Sequence, residues 1–242
     1  MKTSNKIFLA AVLLLIAYLV GYDFTLKAEY EKGTYKNRFY GMTEVKLSNF
    51  NVINHDAGNM VGLHVEQGKA YGVWVEDYFK DRVTLSQSGQ TLTIKYTGKD
   101  VRQWPDRAGI IITCPVISQV TATPFAMPKD FEEEDEFSTR GIVELEGFKQ
   151  TLPLTIRSDK SISFDLAKNT LAQLNADFGS TPKDRPRLTI NQSNQIQTAN
   201  LNLKGGTQLS LYSPSIAKPN YQFGDSIMVT LSGSSLKMVQ PK

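Results

Sequence analysis

From Thr43 onward the chain alternates apolar and polar residues in short bursts: Val45 and Leu47, then Val61, Leu63 and Val65, then Tyr71, Val73 and Val75, then Val83 and Leu85. A period of two puts alternate side chains on opposite faces of an extended segment, so the bursts predict strands rather than helices. Gly109-Ile-Ile-Ile-Thr-Cys-Pro115 holds the most apolar run of the region. It predicts a strand buried on both faces, ended by Pro115, which has no N–H for a ladder. Gly141–Glu146, Leu152–Ile156 and Ile162–Leu166 continue the series. Ala167–Asp177 is the one helix-friendly window after the N-terminal segment, and its Leu171 and Leu174 equally suit the corner of a stacked β structure.

Within this pattern one phrase recurs: an apolar-polar-apolar triplet, a polar corner containing Ser, and another apolar residue. It reads Leu188-Thr-Ile-Asn-Gln-Ser-Asn-Gln-Ile196, Leu209-Ser-Leu-Tyr-Ser-Pro-Ser-Ile216 and Val229-Thr-Leu-Ser-Gly-Ser-Ser-Leu236, with triplets starting 21 and then 20 residues apart. That spacing is too long for hairpin partners and suits one coil of a solenoid. Ile190, Leu211 and Leu231 then share one interior column. Leu92-Thr-Ile94 and Leu154-Thr-Ile156 read as earlier copies, and the 34 residues separating Leu154 from Leu188 predict an insertion at the Gly-, Pro- and charge-rich Asp177–Arg187.

The N-terminal pattern is different. Lys2 and Lys6 precede an unbroken apolar run of 14 residues, Ile7–Val20, and the first acid is Asp23. The run fits a signal-peptide core and falls short of the roughly 17 to 25 residues of a relaxed spanning helix. The best cleavage site, Leu19-Val-Gly21, has Leu where a small residue is preferred, so an uncleaved anchor is favoured, with Tyr18 and Tyr22 at the interface. The basic end stays inside and the rest of the chain lies outside the cytoplasm. The expected organisation is 1–22 as signal anchor or signal peptide, 23–42 as juxtamembrane linker and 43–242 as one β-solenoid domain. Its location is the cell envelope, as a single-pass inner-membrane anchor with a periplasmic domain, or secreted if cleaved.

Composition narrows the chemistry. The 242 residues are 40% hydrophobic and 21% charged with a net charge of +3, an ordinary globular balance without the clustered Lys, Arg and aromatic residues that track a phosphate backbone. Nucleic acid is excluded as a partner class. The single Cys114, in the apolar strand, rules out an intrachain disulfide framework and reads as a buried small hydrophobe. His55 and His64 lack a motif partner and are expected to face solvent. No Gly-x-Ser-x-Gly elbow or Gly-rich phosphate loop occurs. Asp130-Phe-Glu-Glu-Glu-Asp-Glu136 places six carboxylates in seven positions and reads as a solvated loop rather than a calcium site. Trp104-Pro105 reads as a turn with a packing Trp. No catalytic, cofactor-binding or metal-ligating residue is assigned, and no cofactor is expected.

The membrane-directed N-terminus, the alternating strands leading through Leu92-Thr-Ile94 to Ile110–Pro115, and the later triplets with Ser corners resemble the bacterial head GIN domain family, with Val229–Leu236 as the closest match. Members are labelled auto-transporter adhesins by inference from architecture. The resemblance covers roughly Phe50–Val239 and implies an all-β, right-handed parallel β-helix-like solenoid exported to the envelope, with no established catalytic residues. Corners here read Ser158-Asp, Ser193-Asn and Ser213-Pro where the family has Ser-Gly. The expected function is a non-catalytic envelope protein offering a surface for binding or adhesion, with the membrane, a glycan or an envelope protein as partners. The alternatives are a polysaccharide-acting β-helix enzyme, lyase or esterase, and an envelope sensor or assembly factor.

Overall fold

The computed structural model describes residues 3–98, 108–126, 141–158, 160, 162–181, 183 and 185–238. Two compact units result, Met1–Met42 and Thr43–Lys242. The first is a helix, α1 (Thr3–Glu31), of 29 residues with no buried side chain, followed by a short 3-10 turn, Thr34–Lys36. At 1.5 Å per residue it is roughly 43 Å long, and it is long and apolar enough to cross a membrane. The helix outlasts the apolar run because Leu26, Lys27, Ala28 and Glu29 are good helix formers and no proline intervenes. The stretch expected as linker from residue 23 is therefore helical as far as Glu31.

Among the described residues the second unit is all-β apart from a closing 3-10 segment, Gly233–Met238. Its strands are β1 (Met42–Val45), β2 (Val52–Asp56), β3 (Gly62–Gln67), β4 (Gly72–Glu76), β5 (Val83–Ser88), β6 (Thr91–Tyr96), β7 (Ala108–Cys114), β8 (Gln119–Ala122), β9 (Gly141–Glu146), β10 (Lys149–Gln150), β11 (Leu154–Ser158), β12 (Ile162–Ala167), β13 (Thr170–Phe178), β14 (Arg187–Ile190), β15 (Gln195–Leu203), β16 (Gln208–Tyr212), β17 (Ser215–Phe223) and β18 (Met228–Ser232). Ala167–Asp177, open to a helical reading, is mostly strand β13, because the ladders from β11 and β15 on its two sides outweigh local propensity.

The described strands form two nine-stranded sheets. Sheet A runs β1-β4-β7-β3-β9-β12-β14-β16-β18, and sheet B runs β17-β15-β13-β11-β8-β2-β6-β5 with β10 beside β13. Among the described residues the ladders from β8 to β18 are parallel, but β4 pairs antiparallel with β7 and β5 with β6. The sheets are thus mixed, where a wholly parallel coil was expected. The order also departs from the chain: β2 and β3 lie between β6 and β7 on one side and β8 and β9 on the other.

Register makes the interior a set of columns that open to solvent at their C-terminal strands, where Val229 and Tyr221 are exposed. On sheet A, Ile112, Val65, Leu145, Leu166, Ile190, Leu211 and Leu231 align, with Ile110, Leu63, Val143, Phe164, Leu188, Leu209 and Val229 beside them. On sheet B the matching column is Leu92, Ile53, Val120, Ile156, Ala176, Leu201 and Tyr221. The inner faces meet where Phe164 of sheet A stands edge-on to Phe178 of sheet B, centroids 5.3 Å apart. The triplets at 92 and 154 therefore belong to sheet B and those at 188, 209 and 229 to sheet A. The sheet A predecessor of Leu188 is Phe164, 24 residues earlier, so most of the 34-residue gap was a comparison across sheets.

Two buried asparagines tie the corners. Asn169 Nδ2 donates to the Leu145 carbonyl at 3.0 Å and to Asn194 Oδ1 at 2.9 Å, while its own Oδ1 accepts the Phe148 N–H. Asn194 Nδ2 donates to the Leu166 carbonyl at 2.7 Å. Each satisfies backbone groups that the turn takes out of the ladder, where leaving them unpaired would cost roughly 1 to 3 kcal/mol apiece. The predicted Ser corners do part of this work: Ser193 Oγ accepts the Lys168 N–H, and Ser213 Oγ accepts the Ser234 N–H.

Candidate functional site

Alternation sends every second side chain of these strands outward, so each sheet has an outer face built as regularly as its inner one. On sheet A the outward column reads Trp74, Ile111, His64, Glu144, Asp165, Thr189, Ser210 and Thr230. Parallel pairing in register sets His64 beside Glu144, with 2.9 Å from Nδ1 to the carboxylate, and Glu66 and Glu146 approach Nε2 at 3.4 and 3.8 Å. The hydrogen bond to Glu144, opposed by partial burial, raises the His64 pKa. The same bond lowers that of Glu144. Burial pushes the Asp165 carboxyl upward, with Thr189 as its hydrogen-bond donor acting against the shift and the nearby Glu144 charge adding to it. Lys168 closes the group by donating to Glu146 at 2.6 Å.

Sheet B presents a mostly uncharged polar surface interrupted by Arg157 and Asp177. One outward column is Thr91, Val52, Gln119, Thr155, Asn175, Asn200 and Asn220; the next is Thr93, Asn54, Thr121, Arg157, Asp177, Asn202 and Gln222. The amides bond along the column: Asn220 Nδ2 donates to Asn200 Oδ1 and Asn200 Nδ2 to Asn175 Oδ1, each at 2.8 Å, and Asn175 Nδ2 reaches Thr155 Oγ1 at 3.4 Å. Asn202 donates to Asp177 at 2.8 Å. Two concavities adjoin these columns. One, of about 640 Å³, is lined by Pro115, Val116, Leu152 and Leu171 with Gln150 and Gln197. The other, of about 300 Å³, is lined by Thr121, Arg157, Ser158, Asp177, Gly179, Ser180 and Lys204.

The residues singled out from the sequence fare differently. Cys114 is buried, and burial pushes its thiol up to about 12, the state of an inert packing residue. His64 does face outward, but in company that no motif revealed, since Glu144 lies 80 residues away. His55 contradicts the expectation of a solvent-facing ring: it is 0% exposed, in the inner column between Ile94 and Ala122. The reason is parity, because Ile53 and His55 are two apart and share a face. Its Nε2 lies 2.9 Å from the Val61 carbonyl, as donor in the neutral ring, and Nδ1 has no partner among the described residues. Trp104-Pro105 and the acidic run 130–136 lie outside the described residues. Among the described residues, no group of three or more His, Cys, Asp or Glu side chains could hold a metal ion. The Asn column went unread because neighbours on it sit 20 to 25 residues apart. A search for Asn at the centre of each second strand would have found it.

His55 gives the fold an acid dependence. Burial holds its pKa near 4, against 6.5 for an ordinary imidazole. Between those values the unfolded chain binds a proton that the folded one refuses, so this stability is complete above about pH 6.5 and declines as pH falls towards 4. The loss is on the order of 3 kcal/mol. Urea midpoints measured at pH 7, 5 and 4 should fall more steeply for the natural chain than for His55→Leu; equal slopes would show that the ring is not buried neutral.

No protein-family model matches the chain, and no curated protein matches it in sequence. Among solved structures it is similar to a "putative adhesin" from Bacteroides fragilis, at 12% identity and a TM-score of 0.38, over 79% of this chain and 96% of that one. A "putative lipid binding protein" from Parabacteroides distasonis aligns at 14% identity and a TM-score of 0.26, over 79% and 96%. A second "putative adhesin", from Parabacteroides merdae, aligns at 10% identity and a TM-score of 0.28, over 79% and 95%.

Proposed function

We propose that the chain is an exported, membrane-anchored envelope protein that binds rather than catalyses, with residues 1–22 as anchor, 23–42 as connector and 43–242 as a right-handed β-solenoid of the GIN domain type. The observation that carries the reading is the hydrogen-bonded amide column Thr155–Asn175–Asn200–Asn220 on the outer face of sheet B. Asn200, within the column, spends one N–H on Asn175 and one lone pair on Asn220 and keeps one of each for a ligand, while Asn175 Oδ1 accepts from both Asn200 and Gln173. Such a surface, repeated at the roughly 4.8 Å spacing of paired strands, suits an extended polar partner such as a glycan. The test is retention of the full chain, in detergent micelles, on immobilised envelope polysaccharides. Asn200→Leu should weaken retention at least about tenfold, the cost of one or two hydrogen bonds left unpaired, while Thr230→Leu on the opposite face should not. Equal behaviour of the two variants would refute the assignment.

A second reading has its own observation. A polysaccharide-acting enzyme needs acid and base groups on successive strands with pKa values pushed apart, and Glu144 and Asp165, neighbours in register, are shifted in opposite directions. Release of reducing ends or unsaturated products that disappears in Glu144→Gln or Asp165→Asn would establish it over the binding reading.

A further inference from the structure

The smaller concavity on sheet B has a composition that the amide columns beside it do not. Arg157 occupies the outward position of β11 between Thr121 of β8 and Asp177 of β13, and Lys204 follows the end of β15, so both cations border the same space of about 300 Å³. Among the described residues neither the guanidinium nor the ammonium has a hydrogen-bond or ion-pair partner, although Asp177 stands in the next strand and accepts from Asn202. The floor is backbone. Gly179 has φ +74° and donates its N–H to the Ser158 carbonyl. A Cβ there would come within 2.3 Å of the Lys204 carbonyl, so the close approach of this turn to Lys204 needs glycine at 179. Thr121 and Ser180 add hydroxyls at the rim.

We infer that this concavity binds the carboxylate-bearing unit of an acidic polysaccharide, a uronic acid, whose neighbouring units lie along the Asn columns. The inference rests on the binding surface proposed above and names its ligand class. Two uncommitted cations and a planar guanidinium fork match a carboxylate. The volume sits at the lower bound for small-molecule pockets, the scale of one sugar ring. Asp177, a fixed negative charge at the same rim, disfavours a doubly charged phosphate and accepts from a sugar hydroxyl. The columns supply direction: strands stack at roughly 4.8 Å, about the length of one pyranose unit, so a chain crossing the strands meets one polar side chain per sugar.

The experiment is titration calorimetry of the full chain in detergent micelles with oligogalacturonate and with a neutral oligogalactan of the same length. Oligogalacturonate should bind more tightly, in a manner weakened by salt as screened charges require. Arg157→Ala and Lys204→Ala should each lower its affinity about tenfold or more while leaving the thermal melt unchanged, since both side chains are exposed. Lys168→Ala, on the other sheet, should change nothing. Equal affinities for both oligomers, insensitive to Arg157→Ala and Lys204→Ala but reduced by Asn200→Leu, would overturn the acidic ligand and leave the binding surface standing. Failure of both oligomers to bind, or binding that none of the sheet B variants alters, would overturn both.

Discussion

Leu211→Asp is expected to destabilise the β unit by more than about 4 kcal/mol, among the largest effects a single substitution produces. Leu211 is 1% exposed and aligned with Ile190 on one side and Leu231 on the other. An aspartate there would leave an unpaired charge with apolar neighbours on both adjacent strands and no donor within the column. Ser210 is adjacent in sequence and aligned with Thr189 and Thr230 on the outer face, where an added carboxylate meets water. Ser210→Asp should therefore cost less than about 1 kcal/mol. Equilibrium denaturation followed by circular dichroism separates the two variants, and similar losses would mean that the inner and outer columns are wrongly assigned.

The second large effect is expected at Gly141, the first residue of β9. A Cβ at that position would lie 1.6 Å from the Gly58 carbonyl oxygen and 2.4 Å from its carbon. Gly58 is in the turn joining β2 to β3, held by its N–H to the Thr123 carbonyl at 3.0 Å, and a backbone group fixed in that way cannot rotate aside as a side chain could. Gly141→Ala must separate β9 from the turn, at a cost of about 3 kcal/mol or more. Gly224→Ala is the control, because its Cβ would meet nothing nearer than 3.5 Å, and it should fall within about 1 kcal/mol of the natural chain. Matching denaturation midpoints for the two variants would deny the close approach.

Local alternation is what makes the inner faces legible in the sequence. The column through Ile190, Leu211 and Leu231 is legible because each repeat returns after nearly the same number of residues, and the burial of Cys114 because it closes the apolar run that begins at Ile110. Alternation assigns faces but not sheets. Leu92-Thr-Ile94 and Leu154-Thr-Ile156 look like the later triplets yet sit on sheet B, and only pairing in space distinguishes them. His55 was legible in principle, since Ile53 two residues before it fixes its face, but a polar side chain in an inward position runs against the composition of cores. Asn169 and Asn194 were missed for the same reason: their value lies in carbonyls and N–H groups of other strands, which no local pattern encodes. The pairing of His64 with Glu144 and the meeting of Arg157 with Lys204 likewise depend on strands brought side by side over long separations.

The placement of β2 and β3 between strands that come later in the chain has a consequence for the order in which the molecule assembles. Asn51 waits for Ser118, 67 residues on, and His64 for Glu144, 80 residues on, whereas in the C-terminal half Asn220 finds Asn200 only 20 residues back. A chain synthesised from its N-terminus exposes the apolar faces of β2 and β3 until β8 and β9 follow. Closing those long loops is the entropic barrier. Once they close, each later strand adds to a finished edge and needs only its immediate predecessor. Assembly thus divides into one slow, non-local event in the first half and a rapid zippering of the second, and the interval before β9 emerges is when the chain is most open to aggregation and to proteases.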